Sequence, residues 1–184
     1  MKKLILFLCL GFLVVICSTS FANAALFNGH EYQVISDSEI SWADARSAAQ
    51  SMGAGWDLAT ITSEGEENFI ESLLTLDGRD QFWLGGYQFP ATSTSTANWN
   101  WVTGEAWSYT KWGEGQPDDW MGDQVYLALD SDQNSWGWDD NTSTLYVIRG
   151  YIAENHAVPE ASTMLLLGFG LISLAGFARR KFKK

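Results

Sequence analysis

Residues 81–104 read QFWLGGYQFPATSTSTANWNWVTG. Two segments of this stretch, QFWLGGYQ and NWNWVTG, have the short length and the aromatic and apolar content that are typical of strands. They flank ATSTSTAN, a run of small and polar residues that indicates a surface turn. Tryptophan alternates with asparagine in the second segment, so Trp99 and Trp101 share one face of a strand. The stretch therefore predicts two strands joined through an exposed turn.

Two later segments, QVYLALD at 124–130 and LYVIRGYIAE at 145–154, have the same character and predict two more strands. Gly, Asn, Asp and Ser separate the strands, and no helical pattern lies between them. Strands that follow one another without helices favour antiparallel pairing. From residue 81 onward the sequence thus predicts the antiparallel sheet of an α+β domain.

Two helices are predicted before the sheet, at 41–53 and 63–74. Ser41 has the position of an N-cap, and Ser63 with Glu66 three residues later forms a capping-box pattern. Apolar residues recur at helical spacing and predict the buried faces: Trp42, Ala45, Ala49 and Met52 in the first helix, Phe69, Ile70, Leu73 and Leu74 in the second. The sequence also assigns Trp83, Trp99, Trp101 and Trp138 to the core.

The two ends of the chain differ from this segment. Residues 1–24 combine two lysines, an apolar run and an Ala-Asn-Ala end, which predicts a secretory signal peptide cleaved after Ala24. Residues 158–184 contain the apolar run 164–178 followed by RRKFKK. This pattern favours a short membrane segment with a cytoplasmic basic end, and a buried core helix is the alternative. One domain, 25–157, lies between the two ends.

The charge of the middle segment excludes some partners. Residues 25–160 contain all 22 acidic residues of the chain and only four of its 11 basic residues. Such a surface repels nucleic acid and anionic lipid and favours cations. Both cysteines, Cys9 and Cys17, fall within the predicted signal peptide. The exported domain is therefore expected to fold without disulfides.

The segment WGEGQPDDWMG, residues 112–122, lies in a long stretch with little regular pattern. Carboxylate and amide oxygens are the ligands that Ca²⁺ prefers, and the two segments on either side of strand 124–130 supply them. The candidates are Gln116, Asp118, Asp119, Asp123, Asp139, Asp140 and Asn141. A cis Gln116–Pro117 bond would aim both flanking side chains the same way. Solvated acidic loops are the alternative, and DSDQNS (130–135) matches an EF-hand loop only in part.

The order of these pieces resembles the C-type lectin-like domain from about residue 27 to residue 155. The matching pieces are Trp-x-x-Ala in the first helix, LATI before the second, the WLG strand, the Trp-x-Trp strand, a proline-centred triplet and a Trp-Asp-Asp strand. The resemblance implies two helices, antiparallel strands and a long irregular loop region. The family's disulfides are absent from this sequence.

The resemblance also implies a metal site. In sugar-binding members the triplet and the Trp-acid-acid motif hold one Ca²⁺, and two vicinal sugar hydroxyls complete its coordination. The matching positions here are Gln116, Asp118, Asp139 and Asp140. A glutamate usually follows the triplet, and its place here is taken by Asp123 or Gln124.

The triplet Gln116-Pro117-Asp118 resembles the galactose-type version of this site. Galactose-type sites often place a tryptophan after the triplet, where it stacks on the apolar face of the sugar, and Trp120 stands at that place. Packing of Trp120 against its own loop is the alternative. The expected sugar-binding residues are Gln116, Asp118, Trp120 and Asp139.

The C-terminal residues resemble a PEP-CTERM sorting signal, with Pro159-Glu160 before the apolar run and the basic cluster. This resemblance implies a membrane peptidase of the exosortase type as partner. It also implies transient anchoring in the inner membrane, followed by delivery to the cell surface, outer membrane or extracellular matrix.

The sequence leaves three hypotheses for the function. The leading hypothesis is a calcium-dependent carbohydrate-binding protein of galactose type that recognises a glycan or exopolysaccharide. The second is a lectin-fold scaffold that binds protein or matrix without sugar. An enzyme comes third, because His30 and His156 lie near the domain edges and no catalytic spacing is present.

Overall fold

The computed structural model describes residues 24–75, 80–92, 95–131, 135–143 and 147–156. These ranges contain two helices, α1 (Trp42–Ser51) and α2 (Glu64–Ser72), and a 3₁₀ turn at Trp120–Gly122. The strands are β1 (Ala25–Phe27), β2 (His30–Ser36), β3 (Trp56–Leu58), β4 (Gln81–Gln88), β5 (Trp99–Trp101), β6 (Tyr126–Asp130), β7 (Gly137–Asn141) and β8 (Ile148–Asn155).

Several predicted features lie outside the described residues. They are the signal peptide up to residue 23, the sorting tail at 158–184, and the central positions of the EF-hand-like segment. Neither helix within the described ranges is long and apolar enough to cross a membrane.

Both predicted helices are present, and their N-caps are confirmed. The Ser41 side chain accepts a hydrogen bond from the Asp44 amide at 3.1 Å. Ser63 accepts one from the Glu66 amide at 3.3 Å. The Glu66 carboxylate accepts from the Thr62 amide at 2.7 Å, one residue before the position that a reciprocal capping box uses. Helix starts were predictable because a cap depends on a few neighbouring residues.

The strands form one sheet in the order β1-β2-β8-β4-β6-β7, with β3 paired to β8 and β5 paired to β4. The expectation of purely antiparallel strands is wrong at one place, since β4 and β8 run parallel. The last strand returns between β2 and β4, which brings the beginning and the end of the domain together. Strand β4 has the bounds of the segment QFWLGGYQ, whereas β1, β2 and β3 were not predicted.

Two apolar clusters occupy opposite faces of this sheet. Alternation along β6 places Ala128 in the cluster with α1 and places Leu127 and Leu129 in the cluster with α2. The five tryptophans expected in the core are all buried: Trp42, Trp83, Trp99, Trp101 and Trp138. Rings of this size bury roughly 150–250 Å² each, which gives a domain without disulfides a substantial core.

The paired glycines of WLGG allow strand β4 to be packed closely on both faces. A Cβ atom at Gly85 would lie 2.8 Å from the Leu58 carbonyl oxygen, and one at Gly86 would lie 2.7 Å from the Leu127 Cβ. Real Cβ atoms essentially never approach so closely. The two glycines are therefore required by close packing at the centre of the sheet.

A buried acid, Glu67, contacts the ring of Trp138. The Trp138 indole donates to Glu67 Oε2 at 2.9 Å, and both side chains are fully buried. Burial raises the pKa of the Glu67 carboxyl to about 8, although the Lys111 ammonium and the hydrogen bond from Trp138 lower it. The folded state therefore binds a proton at Glu67 that the unfolded chain releases near its ordinary pKa of 4.5.

We expect Glu67→Gln to weaken the pH dependence of stability. In the wild type the folded pKa is the higher one, so stability falls as pH rises from the ordinary value through about 8. Glutamine still accepts from Trp138 and carries no charge. Between about pH 5 and about pH 9 the variant should lose about 4 kcal/mol less free energy of unfolding than the wild type. Urea unfolding with chelator present measures this, and exposed Glu64→Gln is the matched control. Equal pH profiles in wild type and Glu67→Gln would contradict it.

Candidate functional site

The triplet turn is fixed to the outer edge of the sheet. The Trp138 amide donates to the Lys111 carbonyl at 2.7 Å, and the Gly113 amide donates to the Trp138 carbonyl at 2.9 Å. The Gln116 amide then donates to the Gly113 carbonyl at 3.1 Å, and the Gln116–Pro117 peptide is cis, as predicted. Segment 111–113 therefore extends the sheet beyond β7 and positions the triplet.

Asp140 joins strand β7 to this turn. Its carboxylate accepts from the Asp118 amide at 2.9 Å and from the Asp119 amide at 2.8 Å. Burial raises the pKa of Asp140, while the two backbone hydrogen bonds lower it. The structure thus places the second half of the Trp-Asp-Asp motif directly against the triplet.

Asp139 points to the other face of β7, because successive side chains of a strand alternate. Its Oδ2 accepts from Gln81 Nε2 at 2.8 Å and from Asn141 Nδ2 at 3.2 Å. Its Oδ1 is buried, with no hydrogen-bond partner among the described residues. Burial is the main cause that raises the pKa of Asp139 to about 7, and the charges of Asp130 and Asp140 add to it.

Trp120 stands out from the turn. It begins the 3₁₀ turn, and 65% of the residue is exposed. Its amide donates to Asp118 Oδ1 at 3.1 Å and also to the Gln124 side-chain oxygen. The backbone of Trp120 is therefore fixed next to Asp118, while most of the residue is open to solvent.

The two candidates for the ligand after the triplet are placed differently. Asp123 is exposed. Gln124 is buried, its side chain accepts from the Trp120 amide, and its own amide donates to Asp119 Oδ1 at 3.3 Å. Gln124 is thus the residue that faces the triplet turn.

The oxygens at this edge of the sheet fit a hard divalent cation. Gln116 Oε1 and Asp139 Oδ1 are buried without a hydrogen-bond partner among the described residues. An open cavity of about 110 Å³ adjoins the triplet, and its polar lining includes Glu114, Gln116 and Asp130. Such a mixture of carboxylate and amide oxygens is the donor set that Ca²⁺ prefers.

Sequence reasoning missed Gln81, which organises the site, and named Asp119 only as a candidate calcium ligand. Gln81 orients Asp139 and accepts from Asn141 Nδ2 at 2.8 Å, although it lies 58 positions from Asp139. Asp119 has a left-handed backbone with φ 48° and caps the turn through Gln124. A polar residue at the start of the apolar strand β4 was the available signal for Gln81.

Comparison with known families identifies the domain. The Lectin C-type domain family matches residues 38–149, which is more than half of the chain. The chain belongs to this family. The PEP-CTERM protein-sorting motif matches residues 157–181, so this C-type lectin domain precedes a sorting signal of exported proteins.

Named relatives agree with this assignment of the C-type lectin domain. Lectin BRA-3 of Megabalanus rosa is 29% identical over 115 residues, which cover 62% of this chain and 65% of that protein. The carbohydrate-recognition domain of cow CD23, solved in the presence of GlcNAc2Man3 oligosaccharide, has a TM-score of 0.62 at 19% identity and covers 78% and 100% of the two chains. A Ca²⁺-dependent type II antifreeze protein, in its Ca²⁺-free form, has a TM-score of 0.57 at 27% identity and covers 72% and 96%.

Proposed function

We propose that the chain is an exported, calcium-dependent carbohydrate-binding protein of galactose type. The observation that carries the proposal is the exposed Trp120 ring, held beside the Gln116-Pro117-Asp118 turn. Galactose has hydroxyls on one edge and an apolar patch of C–H groups on one face. Oxygen ligands next to an open aromatic face suit both parts of that sugar.

The residues that would hold the calcium ion are Gln116, Asp118 and Asp140, with Gln124 favoured over Asp123 as the next ligand because it faces the turn. Asp139, the fourth expected ligand, would have to turn away from Gln81 and Asn141 on the other face of β7 to reach the same ion. Bound calcium supplies positive charge and open coordination positions for two vicinal sugar hydroxyls. The chain's own part is to fix these oxygens next to one another, because two backbone amides of the turn hold the Asp140 carboxylate.

The chain's ends support export and sorting. We propose cleavage of residues 1–24 as a signal peptide and release of the domain 25–157 from its tail by an exosortase-type peptidase acting near Pro159-Glu160. The tail would anchor the protein in the inner membrane until that step. The lectin domain would then reach the cell surface, outer membrane or extracellular matrix, where an exopolysaccharide is a fitting partner.

Calorimetry tests the proposal most directly. We expect the full chain to bind Ca²⁺ and then galactose, with a dissociation constant for the monosaccharide of about 1 mM, equivalent to about −4 kcal/mol. Chelator should remove the heat of galactose binding. Asp118→Asn should weaken Ca²⁺ binding at least about tenfold, while exposed Asp44→Asn on α1 is the control. Retention on a galactose resin that chelator leaves unchanged would refute the proposal.

The second candidate is a lectin-fold scaffold without sugar binding. One observation favours it: both Asp140 oxygens are already bonded to backbone amides, so this acid is satisfied without a cation. A glycan array that stays blank in millimolar calcium, with wild-type surface behaviour of Asp118→Ala, would select this function instead.

A further inference from the structure

A second group of ligand-type side chains lies where the domain begins and ends. His30 starts β2, Glu154 lies near the end of β8, and His156 follows it. One ligand atom from each residue lies within 4.8 Å of the other two. Strands β4 and β6 separate β8 from β7, so at about 4.8 Å per strand this group is about 14 Å across the sheet from the triplet site.

We propose that His30, Glu154 and His156 form a binding site for a divalent transition metal of the Zn²⁺ type. Two imidazole nitrogens and one carboxylate oxygen are a donor set that Zn²⁺ takes, with a further position left for water. The chain has two histidines, and both are in this group. Their rings lie 4.9 Å apart between centroids, in an edge-to-face arrangement.

The carboxylate of Glu154 is held in place from outside the group. The Thr60 amide donates to its Oε2 at 2.9 Å, and its Oε1 lies 3.0 Å from the Tyr32 hydroxyl, which also contacts Glu66 Oε1 at 2.5 Å. Hydrogen bonds of this kind orient metal ligands from a second layer and fix the direction of their lone pairs. Glu154 is fully buried, so its position is set by the fold.

The nitrogen of His156 is available to a metal. Its Nε2 lies 3.3 Å from Glu154 Oε2 but is buried without an aligned hydrogen bond among the described residues. Burial lowers the pKa of His156, which favours the neutral imidazole that binds metals. Burial also raises the pKa of Glu154 to about 7, and a bound cation would stabilise its ionised form.

The group needs little movement to bind an ion. His30 Nδ1 lies 2.5 Å from Glu154 Oε1, and the side chains of His30 and His156 are 34% and 25% exposed, so an ion can enter from solvent. Bonds of about 2.0–2.1 Å in tetrahedral geometry separate ligand atoms by about 3.3 Å. The His30–Glu154 contact would therefore open by about 0.8 Å on metal binding.

The test uses the full chain, purified in detergent without a histidine tag and kept in saturating Ca²⁺ so that the triplet site does not take up the added ion. Zn²⁺ titration by calorimetry should show one site. Zn²⁺ at 100 times its dissociation constant should raise the melting temperature by about 10 °C. His30→Gln and His156→Gln should each weaken binding at least about tenfold, as loss of one ligand does. Glu31→Gln, on the neighbouring residue of β2, should bind Zn²⁺ like the wild type.

A variant that fails to fold does not block the test. In wild-type protein labelled with ¹⁵N at histidine, Zn²⁺ should move one ring nitrogen of each histidine to the shift of a metal ligand. Unchanged ring signals, or equal Zn²⁺ affinity in wild type and both histidine variants, would overturn the proposal. Because Zn²⁺ binding is measured without sugar, it can succeed or fail independently of galactose binding.

Discussion

Trp120→Ala is expected to remove most galactose binding and to leave calcium binding intact. The Trp120 ring is 65% exposed, whereas its backbone amide is what contacts Asp118 and Gln124. Alanine keeps that amide and therefore keeps the turn, but it removes the surface on which the sugar's C–H face would stack. A central aromatic contact in a binding site contributes about 2 kcal/mol, which is about 30-fold in the dissociation constant.

The measurement is a pair of titrations, Ca²⁺ followed by galactose, on wild type and variant. Leu26→Ala is the matched control, because Leu26 is a large apolar residue with the same exposed fraction, 65%, and lies on β1, at the opposite end of the strand order from β7. Trp120→Phe should recover part of the affinity. If galactose affinity in Trp120→Ala equals that of the wild type, the ring has no role in sugar binding.

Gly150→Ala is expected to cause a large loss of stability. A Cβ atom at Gly150 would lie 1.8 Å from the Ile35 carbonyl oxygen and 2.9 Å from the Ile35 carbonyl carbon. These are backbone atoms of β2, so relief requires β2 and β8 to separate. We expect a loss of about 3–5 kcal/mol in the free energy of unfolding, and a melting temperature lower by more than about 10 °C.

Gly29→Ala separates this clash from the general cost of losing a glycine. Gly29 has φ +86°, and a Cβ atom there would meet nothing within 4 Å. Its replacement should cost about 1 kcal/mol through backbone strain alone. Urea unfolding of both variants gives the difference, and similar losses in the two would show that β2 and β8 have room between them.

The sequence predicted the local features of this fold well. Ser41 and Ser63 were identified as helix caps, and the bounds of β4 were correct, because such features depend on neighbours along the chain. The parallel pairing of β4 with β8 was missed, since an apolar pattern shows that a strand is buried but not which strand lies beside it.

At the two candidate sites, too, features formed by sequence neighbours were predictable, whereas contacts between distant residues were not. The triplet and the Trp-Asp-Asp motif are each a continuous stretch of sequence, so both could be recognised from the sequence. Alternation along β7 already implied that Asp139 and Asp140 face opposite ways, and the sequence interpretation treated them as one set. His30 and His156 were set aside as edge residues, because 126 positions separate them and the sheet order alone makes them neighbours.

The pairing of β2 with β8 sets how the domain responds to mechanical load. Glu31 pairs with Asn155 at the end of this ladder, beside the point where the chain leaves the sheet. A pull on the C-terminal end of the domain therefore acts on this terminal pair first, and the hydrogen bonds of the ladder break one after another at low force. A metal ion held by His30, Glu154 and His156 would clamp that end and raise the force needed to open the ladder when zinc is present.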